Sequence, residues 1–309
     1  MIPSLDMADV LSRARAAFLG VAVGDALGAT TEYLMPEEIR RLHGVHDRIV
    51  GGGWLHLAPG QVTDDTEMSL CIARAVIDAG GWDLPGIADR FARWMKGKPV
   101  DLGATCRRGI RDYLLKGQLE TPPNEWDAGN GAAMRMVPVA LCTLGDEERM
   151  ARLAVAQARI THNHPLSDAA CAGLGRMVQR AILGASRAQL RAAAEELCAR
   201  TPAFRFEPYR GEASGYVGDT VRTVFHHFFG TGNFRDCLVA TVNQGGDADT
   251  TGAIAGMIAG AHYGRKGIPE RWLRRLDRRV RDEVEAAAGR LVALSPAAGN
   301  DPEGRNGAV

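Results

Sequence analysis

Two acidic clusters, Thr63-Asp64-Asp65-Thr66 and Asp247-Ala248-Asp249-Thr250, lie in distant parts of the chain, each after a glycine-containing loop and before an apolar helical run. An aspartate or threonine at such a place ordinarily caps the helix by accepting a free backbone N–H. Capping needs one acid, whereas adjacent carboxylates repel one another unless cations neutralise them. Gly245, Gly246 and Gly252 flank the second cluster and free its backbone to bring Asp247 and Asp249 together. All the donors are hard oxygens, which suit Mg²⁺, Mn²⁺ or Ca²⁺ and suit copper or structural zinc poorly. The clusters read as two halves of one metal site, and a dinuclear centre follows if the fold makes them meet.

Strand signals are almost absent, while apolar residues recur at spacings of three and four through most of the chain. The expected fold class is all-α, one compact multi-helix domain over residues 1–294, with a disordered tail over 295–309 where Pro, Gly, Asn and Asp accumulate. Helices are expected at 8–27, 66–79, 84–96, 104–115, 131–143, 147–160, 167–183, 187–200, 215–229, 234–242, 250–263 and 271–291. Between the first two, the segment 43–60 holds Gly51-Gly52-Gly53 and Pro59-Gly60, a long loop of the kind that tends to be functional. The basic run Arg274-Arg275-Leu276-Asp277-Arg278-Arg279 reads as a solvated helix face.

Lysine plus arginine balances aspartate plus glutamate at 37 each, so no global field draws the chain to nucleic acid or an anionic membrane. The six cysteines form no CxxC pair and read as reduced core residues. With Asp6 and Asp9 early and no long apolar stretch at the N-terminus, a cytoplasmic location and no direct membrane insertion are expected.

Several motifs admit competing readings. Asp247-x-Asp249-x-Thr251 formally matches a phosphotransferase pattern whose first aspartate is a nucleophile, but that chemistry needs a strand tip rather than a late helical segment. His162 and His164 alternate as an HxH pair without a third zinc ligand at suitable spacing. Gly173-Leu174-Gly175 lacks the preceding strand of a dinucleotide fingerprint. Asp101 either caps a helix or pairs with a guanidinium fork. Arg135 is either a phosphate contact or a structural salt-bridge partner, and Tyr216 is either a core aromatic or a stacking surface.

Four ordered motifs, Gly24-Asp25-Ala26-Leu27-Gly28 with Glu32, Gly60-Gln61-Val62-Thr63-Asp64-Asp65-Thr66, Gly129-Asn130-Gly131-Ala132-Ala133-Met134-Arg135 and Gln244-Gly245-Gly246-Asp247-Ala248-Asp249-Thr250, together resemble the ADP-ribosylglycohydrolase family. The resemblance spans roughly Ala17 to Tyr263. It implies an all-α hydrolase with two divalent ions, Mn²⁺ or Mg²⁺, held by Thr63, Asp64, Asp65, Asp247, Asp249 and Thr250. Glu32 is placed beside the metals as a candidate catalytic acid or base, and Asp25 supports neighbouring groups rather than ligating. Gly129, Asn130, Gly131, Ala132 and Ala133 are the expected diphosphate cradle at a helix start, with Met134 a further substrate-binding residue, His162 at the cleft edge and Tyr216 near the adenine.

Lys98-Pro99-Val100-Asp101-Leu102-Gly103, Thr161-His162-Asn163-His164-Pro165 and Ser214-Gly215-Tyr216-Val217-Gly218-Asp219-Thr220 look most like the family members that remove ADP-ribose from an arginine of nitrogenase Fe protein. Asp101 then faces the arginine as a catalytic residue. This branch implies a monomer whose partners include the Fe protein, a PII-type signal protein and, through that complex, a membrane channel. Hydrolysis of another ADP-ribose linkage, a phosphotransferase, or a non-catalytic relative are the alternatives.

Overall fold

The computed structural model describes residues 6–299. Its helices are α1 (Met7–Gly28), α2 (Pro36–His43), α3 (Asp64–Ala79), α4 (Leu84–Lys96), α5 (Ala104–Lys116), α6 (Val137–Cys142), α7 (Glu147–Arg159), α8 (Pro165–Ile182), α9 (Arg187–Arg200), α10 (Val217–Gly230), α11 (Phe234–Val242), α12 (Ala248–Tyr263), α13 (Glu270–Arg275) and α14 (Arg278–Ala293). Among the described residues there is no β-strand, only two isolated bridges. That removes the strand tip a phosphotransferase reading of Asp247 requires.

The central pair is α1 and α12, both buried on nearly all sides. Their backbones touch through small residues: a Cβ added at Gly20 would stand 2.0 Å from the Gly256 carbonyl oxygen, and one added at Gly24 would stand 2.0 Å from that of Gly252. Gly28 meets Ala248 and Gly260 meets Ala16 in the same way. As the position rises by four on α1 it falls by four on α12, so the helices run antiparallel with one face of each in contact. The C-terminal end of α1, with Asp25 and the turn to Glu32, is thereby set against the N-terminal end of α12, which carries Asp247 and Asp249. Helices α3, α8, α11 and α14 pack around this pair.

Some expected elements differ. The stretch from Gly131 is a series of turns, and α6 begins only at Val137, with a proline at its second position. The helix expected over 271–291 is two, α13 and α14, separated at Leu276–Asp277, where the Asp277 carboxylate caps α14 by accepting from Arg279 and Val280 N–H. Helix α2 was not anticipated: only Ile39 of its eight residues is buried. Residues 295–299 are not the start of a disordered tail, because Ala297 N–H donates to the Leu144 carbonyl at 2.9 Å and Ser295 is buried. The rest of the expected tail lies outside the described residues. No helix among the described residues is long and apolar enough to cross a membrane.

Candidate active site

The two acidic clusters meet. Thr63 Oγ1 lies 3.2 Å from Asp65 Oδ2 and 3.4 Å from Asp249 Oδ2, and Thr250 Oγ1 lies 3.4 Å from Asp65 Oδ2. Asp65 and Asp249 are buried, as is Asp64, whose Oδ2 accepts from Gly103 N–H at 3.3 Å. Glu32, Asp247 and Asp249 each offer a carboxylate oxygen within 4.8 Å of the others. Thus all six expected metal-ligating residues converge, and Glu32 joins them.

Helix α3 is held in place by Asp25, which is fully buried beneath its first turn. Its carboxylate accepts from the backbone N–H of Thr63 (3.0 Å) and Thr66 (3.1 Å) and from both hydroxyls, at 3.0 Å and 2.5 Å. An acid from α1 therefore does the capping, which leaves Asp64 and Asp65 free to face the centre. Burial nonetheless raises the Asp25 pKa to about 7 against these donors.

Electrostatics point to a cation. Burial first, and neighbouring carboxylates second, push Asp64, Asp65 and Asp249 well above the usual carboxylate range. Burial raises Glu32 to about 8, with Asp247 and Asp101 adding to the shift and the Trp54 hydrogen bond opposing it. Asp65 Oδ1 is buried with no hydrogen-bond partner. An orphaned acceptor amid crowded oxygens is what a divalent ion would satisfy, so the residues present fit a hard cation.

Above the cluster lies a cleft of about 230 Å³ lined by Glu32, Asp64, Asp101, Gly129, Asn130, Gly131, Met134, His162, Asp247, Asp249 and Thr250, among others. Asn130 Nδ2 donates to Asp247 Oδ2 at 2.7 Å, tying the glycine-rich turn to the second acidic cluster. Ala132 lies behind this wall, its carbonyl accepting from Gln157 Nε2. Tyr216 is not a core aromatic: it precedes α10, is 37% exposed, and pairs with the cleft-lining Gly129 in an isolated bridge. Asp101 is half-buried, and burial raises its pKa. It does not cap α5, whose N-cap is Gly103; among the described residues its carboxylate accepts only from the next N–H, of Leu102, at 2.7 Å.

Three findings depart from the sequence reading. The Gly129–Met134 turn is not a helix N-terminus, so its N–H groups carry no helix dipole. Arg135 does not line the cleft and pairs with no carboxylate among the described residues; it is fully buried, donating to Gln157 and Thr161 with its guanidinium 4.7 Å from the centre of the Phe91 ring. Trp54, from the long glycine-rich loop, was missed: its Nε1–H donates to Glu32 Oε2 at 2.5 Å, and its ring meets Tyr33 edge-on at 5.3 Å. A tryptophan directly after three glycines was the available signal. His164 is not a metal ligand but caps α8, its Nδ1 accepting from Leu166 N–H at 3.1 Å.

Residues 6–301 match the family model described as ADP-ribosylglycohydrolase. The chain is 53% identical over 286 residues to ADP-ribosyl-[dinitrogen reductase] glycohydrolase of Rhodospirillum rubrum, covering 93% of this chain and 97% of that one. It is 34% identical to ADP-ribosylarginine hydrolase Tri1 of Serratia proteamaculans, over 93% of this chain and 80% of the relative. A solved structure described as an ADP-ribosylglycohydrolase-related protein complex superposes with a TM-score of 0.82 at 33% identity, covering 93% of this chain and 99% of that one.

Proposed function

The chain belongs to the ADP-ribosylglycohydrolase family, and from that premise we propose that it hydrolyses the N-glycosidic bond between ADP-ribose and a protein arginine, with nitrogenase Fe protein as its target. The observation that carries this reading is that one cleft joins the buried acidic cluster to Asp101, a half-buried carboxylate left free to meet a guanidinium. The two relatives at 53% and 34% identity, named for dinitrogen reductase and for ADP-ribosylarginine, support the same linkage.

In the reaction, the C1–N bond of the ribose breaks, water oxygen bonds to C1, and the departing guanidine takes a proton. Charge on the sugar grows toward an oxocarbenium ion, which surrounding carboxylates stabilise. In this reading Asp101 pairs with the guanidinium and orients it, and Glu32, which accepts from Trp54 Nε1–H, handles a proton of the attacking water. Asn130 and the cleft-facing edge of His162 position the ADP-ribose. Two divalent ions, Mn²⁺ or Mg²⁺, belong to this reading, held by Thr63, Asp64, Asp65, Asp247, Asp249 and Thr250; when bound they polarise the reacting oxygens and orient the ribose hydroxyls. A PII-type partner, a monomeric state, and a cytoplasmic location with recruitment to the membrane through partners extend the proposal on the strength of the motif resemblance alone.

The test is incubation of the purified chain and Mn²⁺ with arginine-linked, serine-linked and phosphate-linked ADP-ribose. Release of ADP-ribose from the arginine conjugate is expected. Release from the serine conjugate alone would contradict the linkage assigned.

A further inference from the structure

Behind the cleft wall runs a hydrogen-bond chain from a buried arginine to the edge of the site. Arg135 Nε donates to Gln157 Oε1 at 2.7 Å, and its Nη2 donates to the Gln157 carbonyl at 3.1 Å and to Thr161 Oγ1 at 2.8 Å. Thr161 Oγ1 in turn lies 2.8 Å from His162 Nδ1. Arg135, Gln157 and Thr161 are all completely buried, and His162 is nearly so.

Donor and acceptor arithmetic sets the direction. A guanidinium only donates, so one lone pair of Thr161 Oγ1 is taken and its single proton remains to be placed. Apart from Nδ1, the acceptors within reach are the Ala158 carbonyl at 3.5 Å, outside the usual O–H···O range of about 2.5–3.0 Å, and the Cys106 thiol, a weak acceptor. The proton therefore goes to His162 Nδ1. An imidazole that accepts at Nδ1 carries its own proton on Nε2. Burial, with Arg135 and Arg108 behind it, holds the ring well below its usual pKa, consistent with a neutral imidazole.

The Nε2 edge is the one that faces the site. His162 lines the cleft, and no protein partner reaches Nε2 among the described residues. A Cβ at Gly129 would come within 3.1 Å of Nε2, and one at Gly131 within 3.0 Å of Cε1. The glycines of the Gly129-Asn130-Gly131 turn thus leave this edge uncovered. The same network reaches the turn from behind, since Gln157 Nε2 donates to the Ala132 carbonyl at 3.0 Å.

We propose that Arg135 and Thr161 are positioning residues that fix His162 as the neutral Nε2–H tautomer, so that it presents one permanent donor to an oxygen of ADP-ribose lying against Gly129–Gly131. The ligand half rests on the function proposed above; the tautomer half does not. A donor of this kind recognises a diphosphate or ribose oxygen without adding a charge that would compete with cations in the cluster.

The test is the tautomer of His162, read from the nitrogen shifts and long-range proton couplings of ¹⁵N-labelled full-length chain, alongside ADP-ribose affinity by calorimetry. The wild type is expected to show the proton on Nε2. Thr161→Val should lose this preference and bind ADP-ribose about tenfold more weakly, and Thr161→Ser should restore both. A wild-type ring protonated at Nδ1 overturns the proposal, whether or not the valine variant folds. So does a folded Thr161→Val protein with unchanged tautomer and affinity. An Nε2–H ring in a protein with no affinity for ADP-ribose overturns the ligand half and the functional reading together, leaving the positioning of His162 established.

Discussion

The carboxylate of Asp25 accepts both the backbone N–H and the hydroxyl of Thr63, each at 3.0 Å, although the two residues belong to different helical segments and neither is exposed. This contact makes α1 the platform for α3, and the close α1–α12 packing makes it the platform for the second acidic cluster as well. Asp25→Ala would strand the N–H groups of Thr63 and Thr66 in the interior. Each unsatisfied buried donor costs about 1–3 kcal/mol. A loss of about 3 kcal/mol in denaturant unfolding is expected, with weaker Mn²⁺ binding in whatever remains folded; unaltered stability would show that α3 is positioned by something else.

Gly24 and Gly252 should not tolerate a methyl group. Overpacking typically costs about 1–3 kcal/mol, and here the obstacle is backbone rather than a movable side chain. Gly24→Ala is therefore expected at or above the upper end of that range, with the acidic clusters pushed apart and Mn²⁺ affinity reduced. Thermal melts with and without Mn²⁺ measure both effects.

Stability of the cation-free protein should fall as pH rises. Asp25 and Glu32 titrate at about 7 and about 8 in the fold, above the ordinary carboxyl value of about 4. Between those limits the folded state holds more protons than the unfolded state, so raising the pH favours unfolding. Mn²⁺ binds the ionised cluster and stabilises only the native state. The rise in melting temperature on adding Mn²⁺ should consequently be larger at about pH 8 than at about pH 5.5, and a rise independent of pH would count against a carboxylate site.

Much of the fold was legible because local signals agreed with packing. Helix α4 has Asp83 as a side-chain cap and a proline in its first turn, and α9 has the Ser186–Gln189 capping box; both helices span the residues expected from sequence. Helix α2 was illegible because its charged sequence buries one residue. The first half of the stretch expected as a helix from Gly131 to Thr143 differs in the other direction: Ala132, Ala133, Met134 and Met136 are good helix formers, yet the chain turns there to present the cleft wall and becomes helical only from Val137. Convergence of the acidic clusters was an expectation from crowded hard-oxygen donors that need a cation, from the glycines flanking Asp247 and Asp249, and from the family resemblance. The roles of Trp54 and Arg135 were not legible, since each depends on a partner distant in sequence that no periodicity marks.

Trp54→Phe keeps an aromatic ring beside Tyr33 but removes the donor to Glu32. A hydrogen bond to a charged group is worth about 1.5–3 kcal/mol. Turnover should drop by roughly tenfold or more, and the carboxylate limb of the pH–rate profile should move upward, because that bond opposes the raised pKa of Glu32. A profile that did not move would detach the loop from catalysis.

Asp101→Ala separates substrate chemistry from metal retention. Its carboxylate bonds only to the adjacent Leu102 N–H among the described residues, so its loss should leave the α3–α12 cluster intact. Cleavage of the arginine conjugate is expected to fall roughly a hundredfold or more, with Mn²⁺ affinity retained. Equal turnover by the variant would remove its assigned role.

The central claim is that the segments around Asp65 and Asp249 form one cation site. Anomalous diffraction from crystals grown with Mn²⁺ tests it most directly. The account predicts manganese peaks within coordination distance of carboxylates from both segments. Peaks confined to one segment, or elsewhere on the molecule, would contradict it.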